Sequence, residues 1–153
     1  MELEQFIVQA KANGWVGALK GGKKIPASRK GSFDIIYEDG DFSYQDSFVG
    51  FSDFCGQEHV TRKNEPVWSM VYYGYLLQPA KFTGDEAVTV LKNALSKMYS
   101  ENRFLGGFCH IEGPYEYRDM NFGGHKRFSG IEKIFKNGEL VYELIYCGGT
   151  VKK

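Results

Sequence analysis

Leu3, Phe6, Ile7 and Ala10 fall at i, i+3, i+4 and i+7, the spacing that gathers apolar side chains on one face of a helix. Asn13 and Gly14 follow as stop signals, so the pattern predicts a helix over about 3–13. From Phe33 the period becomes two: Phe33, Ile35 and Tyr37 alternate with Asp34 and Glu38. Asp39-Gly40 is a hairpin signal, and Phe42, Tyr44 and Asp46 continue the alternation beyond it. A second hairpin is predicted from 56–63 and 66–75, turning at Asn64-Glu65. Helical spacing returns at Ala87, Val88, Leu91, Ala94, Leu95 and Met98. Thr83 and Glu86 precede it with the separation of a capping box, which predicts a helix over about 85–99. Strand patterns resume around Gly113, and Asn137-Gly138 marks a last hairpin.

The second series of strands repeats the first. Phe54 to Gly74 reappears, shifted by 74 positions, as Phe128 to Gly148. Phe54/Phe128, Gly56/Gly130, Glu58/Glu132, Glu65/Glu139, Val67/Val141, Tyr72/Tyr146 and Gly74/Gly148 are identical, where random alignment gives roughly one identity. Gly40, Phe42, Tyr44 and Asp46 recur as Gly113, Tyr115, Tyr117 and Asp119 at an offset of 73, and the loop 120–127 absorbs the extra residue. The expectation is one α+β domain over 1–153, built from half-repeats of about 1–78 and 79–153. Each half is a helix plus an antiparallel meander, giving about eight strands and two helices around a pseudo-twofold axis, with room for a cleft between the halves. A lone copy would leave one sheet face uncovered, and two copies can bury those faces together. In the last strand of each half, Val67, Val71, Val141 and Ile145 lie opposite Trp68, Met70, Tyr72, Tyr142, Leu144 and Tyr146, which predicts central strands covered on both sides.

Composition adds limits rather than an activity. At 153 residues, 42% hydrophobic and 25% charged, the chain is ordinary for a globular domain. Its 19 basic and 19 acidic residues balance, so neither direct nucleic-acid binding nor attachment to an anionic membrane is expected. No apolar run approaches the ~18 residues of a membrane span, and the N-terminus lacks the pattern of a signal peptide. Cys55, Cys109 and Cys147 are odd in number and form no CxxC pair, which suggests neither a disulfide framework nor a zinc site. A reducing cytoplasm is the expected compartment.

Gly17 to Lys23 spells GxxxxGK, the beginning of a phosphate-binding loop. That motif needs a strand before it, a helix after it and a hydroxyl for magnesium. Here a predicted helix precedes, Lys24 occupies the hydroxyl position and Pro26 follows, so nucleotide binding is not expected.

Glu58 and Glu132 carry more information, because each shares a strand face with an apolar neighbour, Val60 or Ile134, in a repeated position. An inward carboxylate needs a partner. It is either tied to an arginine such as Arg29, Arg62, Arg118 or Arg127, or it faces a cleft walled by Trp68, Tyr72, Tyr142 and Tyr146. The second arrangement suits a cationic or hydrogen-bond-donating small molecule. The aromatic positions read first as core, and their tyrosine hydroxyls leave room for a pocket. Paired carboxylates also admit acid/base catalysis. No nucleophile elbow, zinc helix or histidine-centred triad accompanies them, and His59, His110 and His125 lie in different contexts. Binding or sensing of an effector therefore ranks first, a protein-interaction or oligomerisation module second and an enzyme third. No catalytic residue, metal or cofactor is assigned, and a homodimer is open.

The run Ser28-Arg29, Asp34, Tyr37-Glu38, Gly40-Asp41, Tyr44, Asp46, Phe54, Gly56, Glu58, Pro66 to Met70, Tyr72, Gly74, Tyr146 and Gly148-Gly149 resembles an uncharacterised prokaryotic family of domains of unknown function. The resemblance implies a domain found alone or C-terminal to a helix-turn-helix DNA-binding domain, and it carries no catalytic role. No helix-turn-helix pattern precedes the first helix here.

Overall fold

The computed structural model describes residues 1–152. The chain runs α1 (Leu3–Asn13), β1 (Lys23–Ile25), β2 (Phe33–Asp39), β3 (Phe42–Gly50), β4 (Phe54–Arg62), β5 (Glu65–Leu76), α2 (Gly84–Ser100), β6 (Phe108–Glu112), β7 (Tyr115–Gly124), β8 (Arg127–Lys136) and β9 (Glu139–Thr150). The architecture is α+β. All nine strands form one sheet in the order β1-β2-β3-β4-β5-β9-β8-β7-β6, with every neighbouring pair antiparallel.

The strand count exceeds the eight expected because Lys23–Ile25, inside the Gly/Lys-rich stretch read as loop, pairs with Asp34–Ile36. Without it β2 would present a free row of backbone donors and acceptors at the sheet edge. The second hairpin turns one residue earlier than expected, at Lys63-Asn64. Both turn residues have positive φ (51° and 66°), as do Asn137-Gly138 (51° and 81°). That is the geometry a two-residue hairpin loop requires.

The larger correction concerns the faces. The two meanders do not stack; they join edge to edge through β5 and β9, where Tyr72 lies opposite Tyr146, Met70 opposite Gly148 and Gly74 opposite Leu144. Backbone hydrogen bonding across this seam leaves both helices on one side. Phe6 of α1 stacks on Phe42 with ring centroids 4.8 Å apart. Tyr115 of β7 donates to Glu86 of α2 at 2.8 Å. The central strands are therefore covered on one side only: on the outer face Val71, Tyr73 and Ile145 remain about half exposed. Val67 and Val141, expected to share that outer face, are half-buried and buried. The pairing skips each of them, Val60↔Trp68 being followed by Thr61↔Pro66 and Ile134↔Tyr142 by Phe135↔Leu140. An extra residue of this kind is a β-bulge, which re-aims its side chain.

The N-terminus of α2 carries one half of the capping box that its spacing predicts, Glu86 N donating to Thr83 Oγ1 at 3.2 Å, while the Glu86 side chain turns elsewhere. The Glu86 carboxylate is held by Tyr115 and by Lys136 Nζ, at 2.8 Å each.

Candidate functional site

Strand alternation puts Asp46, Glu58 and Tyr72 on the helix-facing side of β3, β4 and β5, and Asp119, Glu132 and Tyr146 on that side of β7, β8 and β9. Asp46 lies opposite Glu58 and Asp119 opposite Glu132. Tyr72 and Tyr146 lie across from Gly56 and Gly130, where an added Cβ would collide with the tyrosine rings. Glycine at these positions lets each ring cross its neighbouring strand. The hydroxyl of Tyr72 then donates to Asp46 Oδ1 and that of Tyr146 to Asp119 Oδ1, both at 2.7 Å.

The partner of Glu58 is a lysine rather than an arginine. Lys11 Nζ lies 2.8 Å from both carboxylate oxygens, and the two side chains are only 10% and 8% exposed. Lys11 follows Ile7 by one helical turn, which places it beside the apolar stripe of α1. A lysine in that register is the sequence signal for this partner. Burial disfavours the Lys11 charge, but the Glu58 carboxylate outweighs it, so the ammonium is held more tightly than usual. Asp46 and Glu132 have no salt bridge among the described residues. Burial first, and then the Glu58 charge, push Asp46 up to about 7 against the help of Tyr72 and Lys11. Burial, and then Asp119, push Glu132 up to about 8. Asp119 is raised too, chiefly by burial. One lysine thus serves four carboxyl groups.

A cavity of about 600 Å³ opens above this cluster, between the sheet and the helices. Ala87, Leu91 and Leu95 of α2 and the segment Trp15–Leu19 border it on the helix side, and Phe33, Phe48, Phe51 and Phe54 supply aromatic walls. Its polar lining is Lys11, Tyr44, Asp46, Glu58, Tyr72, Lys92, Tyr99, Glu132 and Tyr142. Of the residues singled out in the sequence, Glu58, Tyr72, Glu132 and Tyr142 line the cavity together. Trp68 and Tyr146 do not. Trp68 is fully buried, donates from Nε1 to His125 O at 3.0 Å and stacks on Phe128 with centroids 5.8 Å apart. Tyr146 is buried against Asp119 and Phe128. Asp46 also lines the cavity, a residue that the strand alternation, the repeat and the family resemblance all include without marking it as a site.

Two features of the cavity lack an ordinary structural explanation. The Tyr142 hydroxyl is buried and has no hydrogen-bond partner among the described residues, although a buried hydroxyl normally finds one. Ala18 and Leu19, on the rim, both have positive φ (52° and 62°), which is uncommon away from glycine and collects at functional positions. The GxxxxGK stretch forms part of this rim and runs into β1, so no helix N-terminus follows it to cradle a phosphate. Among the described residues no group of three His, Cys, Asp or Glu side chains could hold a metal ion.

The family model for a domain of unknown function, DUF5680, matches residues 46–151. The chain belongs to this family. The DUF5680 match begins at Asp46 and takes in Glu58, Tyr72, Asp119, Glu132, Tyr142 and Tyr146; Lys11 and Asp34 lie before it. No curated protein and no solved structure matches the chain. No helix among the described residues is long and apolar enough to cross a membrane.

Proposed function

We propose that this DUF5680 protein binds a small molecule in the cavity between its helices and its sheet, and acts as an effector-binding or sensing domain. The observation that carries the reading is a cavity of about 600 Å³, apolar over most of its wall, on which a few buried polar groups converge and one of them, Tyr142, lacks a partner. Small-molecule sites have this size and composition. The acids with raised pKa sit at the same place, and perturbed titration clusters at functional sites. Among the described residues no serine, threonine, cysteine or histidine lines the cavity, which favours binding over nucleophilic catalysis. A metabolite library screened by thermal shift tests the proposal, since a ligand of the folded state stabilises by mass action. Hits should lose their effect in Leu91→Trp, which fills the cavity. A screen without hits, or hits indifferent to Leu91→Trp, overturns it.

The repeat belongs with this reading. The two meanders are a duplicated unit related by a twofold axis through the facing pair Tyr72 and Tyr146, so that the acids of both halves converge at the centre of one sheet. In an experimental structure, residues 40–74 and 113–148 should superpose with Glu58 on Glu132; unrelated positions for the two glutamates would make the repeat spurious.

A second reading rests on the outer sheet face, where Val71, Tyr73 and Ile145 are each about half exposed. Apolar groups grouped in the open mark interaction surfaces, so this face would serve a partner or a second copy. Sedimentation of the native protein and of Tyr73→Lys tests it: an unchanged monomer in both removes the homodimer.

A further inference from the structure

We infer that the cavity takes an uncharged aromatic carbonyl compound, its ring against Phe54 and Tyr142 and its carbonyl oxygen accepting from the Tyr142 hydroxyl. The inference rests on the cavity being a ligand site and adds the chemistry of the ligand.

A comparison within the chain carries it. The shift of 74 positions that sets Phe54 on Phe128 and Tyr72 on Tyr146 also sets Trp68 on Tyr142. The rings keep the same company in both places. Trp68 stacks on Phe128 with centroids 5.8 Å apart and planes at 19°, and Tyr142 stacks on Phe54 at 6.4 Å and 22°. Phe128 meets Tyr146 at 6.1 Å, as Phe54 meets Tyr72 at 6.0 Å. Around Trp68 two further pieces complete the group. Phe104 sets its ring edge-on to both partners, with centroids 6.0 Å from Trp68 and 5.7 Å from Phe128. The carbonyl oxygen of His125 accepts from Trp68 Nε1 at 3.0 Å. Around Tyr142 neither piece has a counterpart: among the described residues no further ring meets Phe54 or Tyr142, and the buried hydroxyl has no partner. Phe54 and Tyr142 both line the cavity. A ring and a carbonyl oxygen are therefore what a ligand must bring to complete the second group as the chain completes the first.

The direction of the hydroxyl follows from the sheet. Tyr142 leans over Gly74 of β5, where an added Cβ would lie 3.0 Å from its oxygen. Tyr72 and Tyr146 lean over Gly56 and Gly130 in the same way and reach a carboxylate, whereas Tyr142 comes to Phe54, which accepts nothing. The missing acceptor is uncharged, because no free cation lies deep in the cavity to balance an anion. Lys11 gives its ammonium to both oxygens of Glu58. Lys92 has no ion pair among the described residues, but it lies at the rim, 4.9 Å from the Trp15 ring. Burying a carboxylate at Tyr142 would cost more than burying a carbonyl that receives one hydrogen bond. At about 600 Å³ the cavity has room for more than one ring.

Four probes of similar bulk test the inference. Benzophenone has both rings and acceptor, diphenylmethane the rings alone, dicyclohexyl ketone the acceptor alone, and diphenylacetate a negative charge. In calorimetry benzophenone should bind about fivefold more weakly to Tyr142→Phe than to the native protein, while diphenylmethane binds both alike. Tyr142→Phe keeps the ring and removes only the hydroxyl, so this difference reads the hydrogen bond. The infrared carbonyl stretch of bound benzophenone should lie at lower frequency in the native protein than in Tyr142→Phe. Dicyclohexyl ketone should bind the native protein about fivefold more weakly than benzophenone, having no ring to set against Phe54 and Tyr142. Benzophenone affinity and carbonyl stretch unchanged in Tyr142→Phe overturn the inference, as does dicyclohexyl ketone binding as tightly as benzophenone. Preferred binding of diphenylacetate, lost in Lys92→Gln, also overturns it and assigns the ligand class to the rim lysine. Absence of binding by all four overturns it as well; library hits abolished by Leu91→Trp would then show that the cavity itself survives as a ligand site.

Discussion

Asp34 and the central acid cluster are both buried carboxyl sites on one sheet, and they are satisfied in opposite ways. Asp34, fully buried on β2, accepts from Ser28 Oγ at 2.6 Å, Gln45 Nε2 at 2.9 Å, Ser47 Oγ at 3.1 Å and the Ser32 hydroxyl. Burial raises it, but these donors outweigh burial and hold it well below the usual carboxylate range. Arg29 Nη2 completes the network with bonds to Ser47 O and Oγ at 3.0 Å each. Asp34 is thus a clasp that fastens the segment 28–32 to the sheet. The central cluster has one ammonium for four carboxyls, and three of them are raised. A buried acid surrounded by donors is accounted for by the fold; a group of buried acids short of donors beside a cavity is not, and that imbalance is what a ligand could correct.

The largest expected effect comes from removing the one cation of the cluster. Lys11→Met should destabilise by about 3–5 kcal/mol in denaturant unfolding, the usual consequence of leaving a buried charge without its partner. Adding Glu58→Gln should recover much of the loss; a double variant as unstable as the single would mean that α1 packing, not charge, dominates. Next, Asp34→Asn should cost about 2–3 kcal/mol, because hydroxyls arranged to donate to a carboxylate meet an amide. If Glu132→Gln costs more than Asp34→Asn, the contrast between the two sites is wrong.

The pH dependence sharpens the comparison, since the two sites carry opposite signs. The depressed Asp34 contributes stability that is present above the ordinary carboxyl range near 4 and is lost as pH falls below it. Asp46 and Glu132, raised to about 7 and about 8, contribute stability that is greatest below the carboxyl range of the unfolded chain. That contribution is lost as pH rises through those values. Unfolding free energy should therefore peak near pH 4–5 and decline towards pH 8, by at most about 1.4 kcal/mol per pH unit for each group. Asp46→Asn with Glu132→Gln should flatten the decline and leave the acid limb; Asp34→Asn should do the reverse. The smallest effect is expected at Tyr142→Phe, which removes an unpartnered buried hydroxyl and should be neutral or stabilise by about 1 kcal/mol without ligand. A clear loss in unfolding experiments would show that the hydroxyl has a partner.

Local chemistry made much of the fold legible in the sequence. The spacing of Leu3, Phe6, Ile7 and Ala10 defined α1, Thr83 and Glu86 marked the start of α2, and Gly40 and Asn137-Gly138 marked hairpins. Each depends on residues within a few positions of one another, and Glu58, Tyr72, Glu132 and Tyr142 were read from the same alternation. Period two says which side chains share a face, but it does not say what covers that face. Only the tertiary structure decided that β5 pairs with β9 to make one sheet with a bare outer side, and that bulges at Val67 and Val141 turn those residues away from it. It also decided that Trp68 and Tyr146 fill core while Asp46 lines the cavity, and that Lys11 rather than an arginine reaches Glu58. These outcomes follow from backbone pairing and side-chain reach between segments far apart in the chain, which no local pattern encodes.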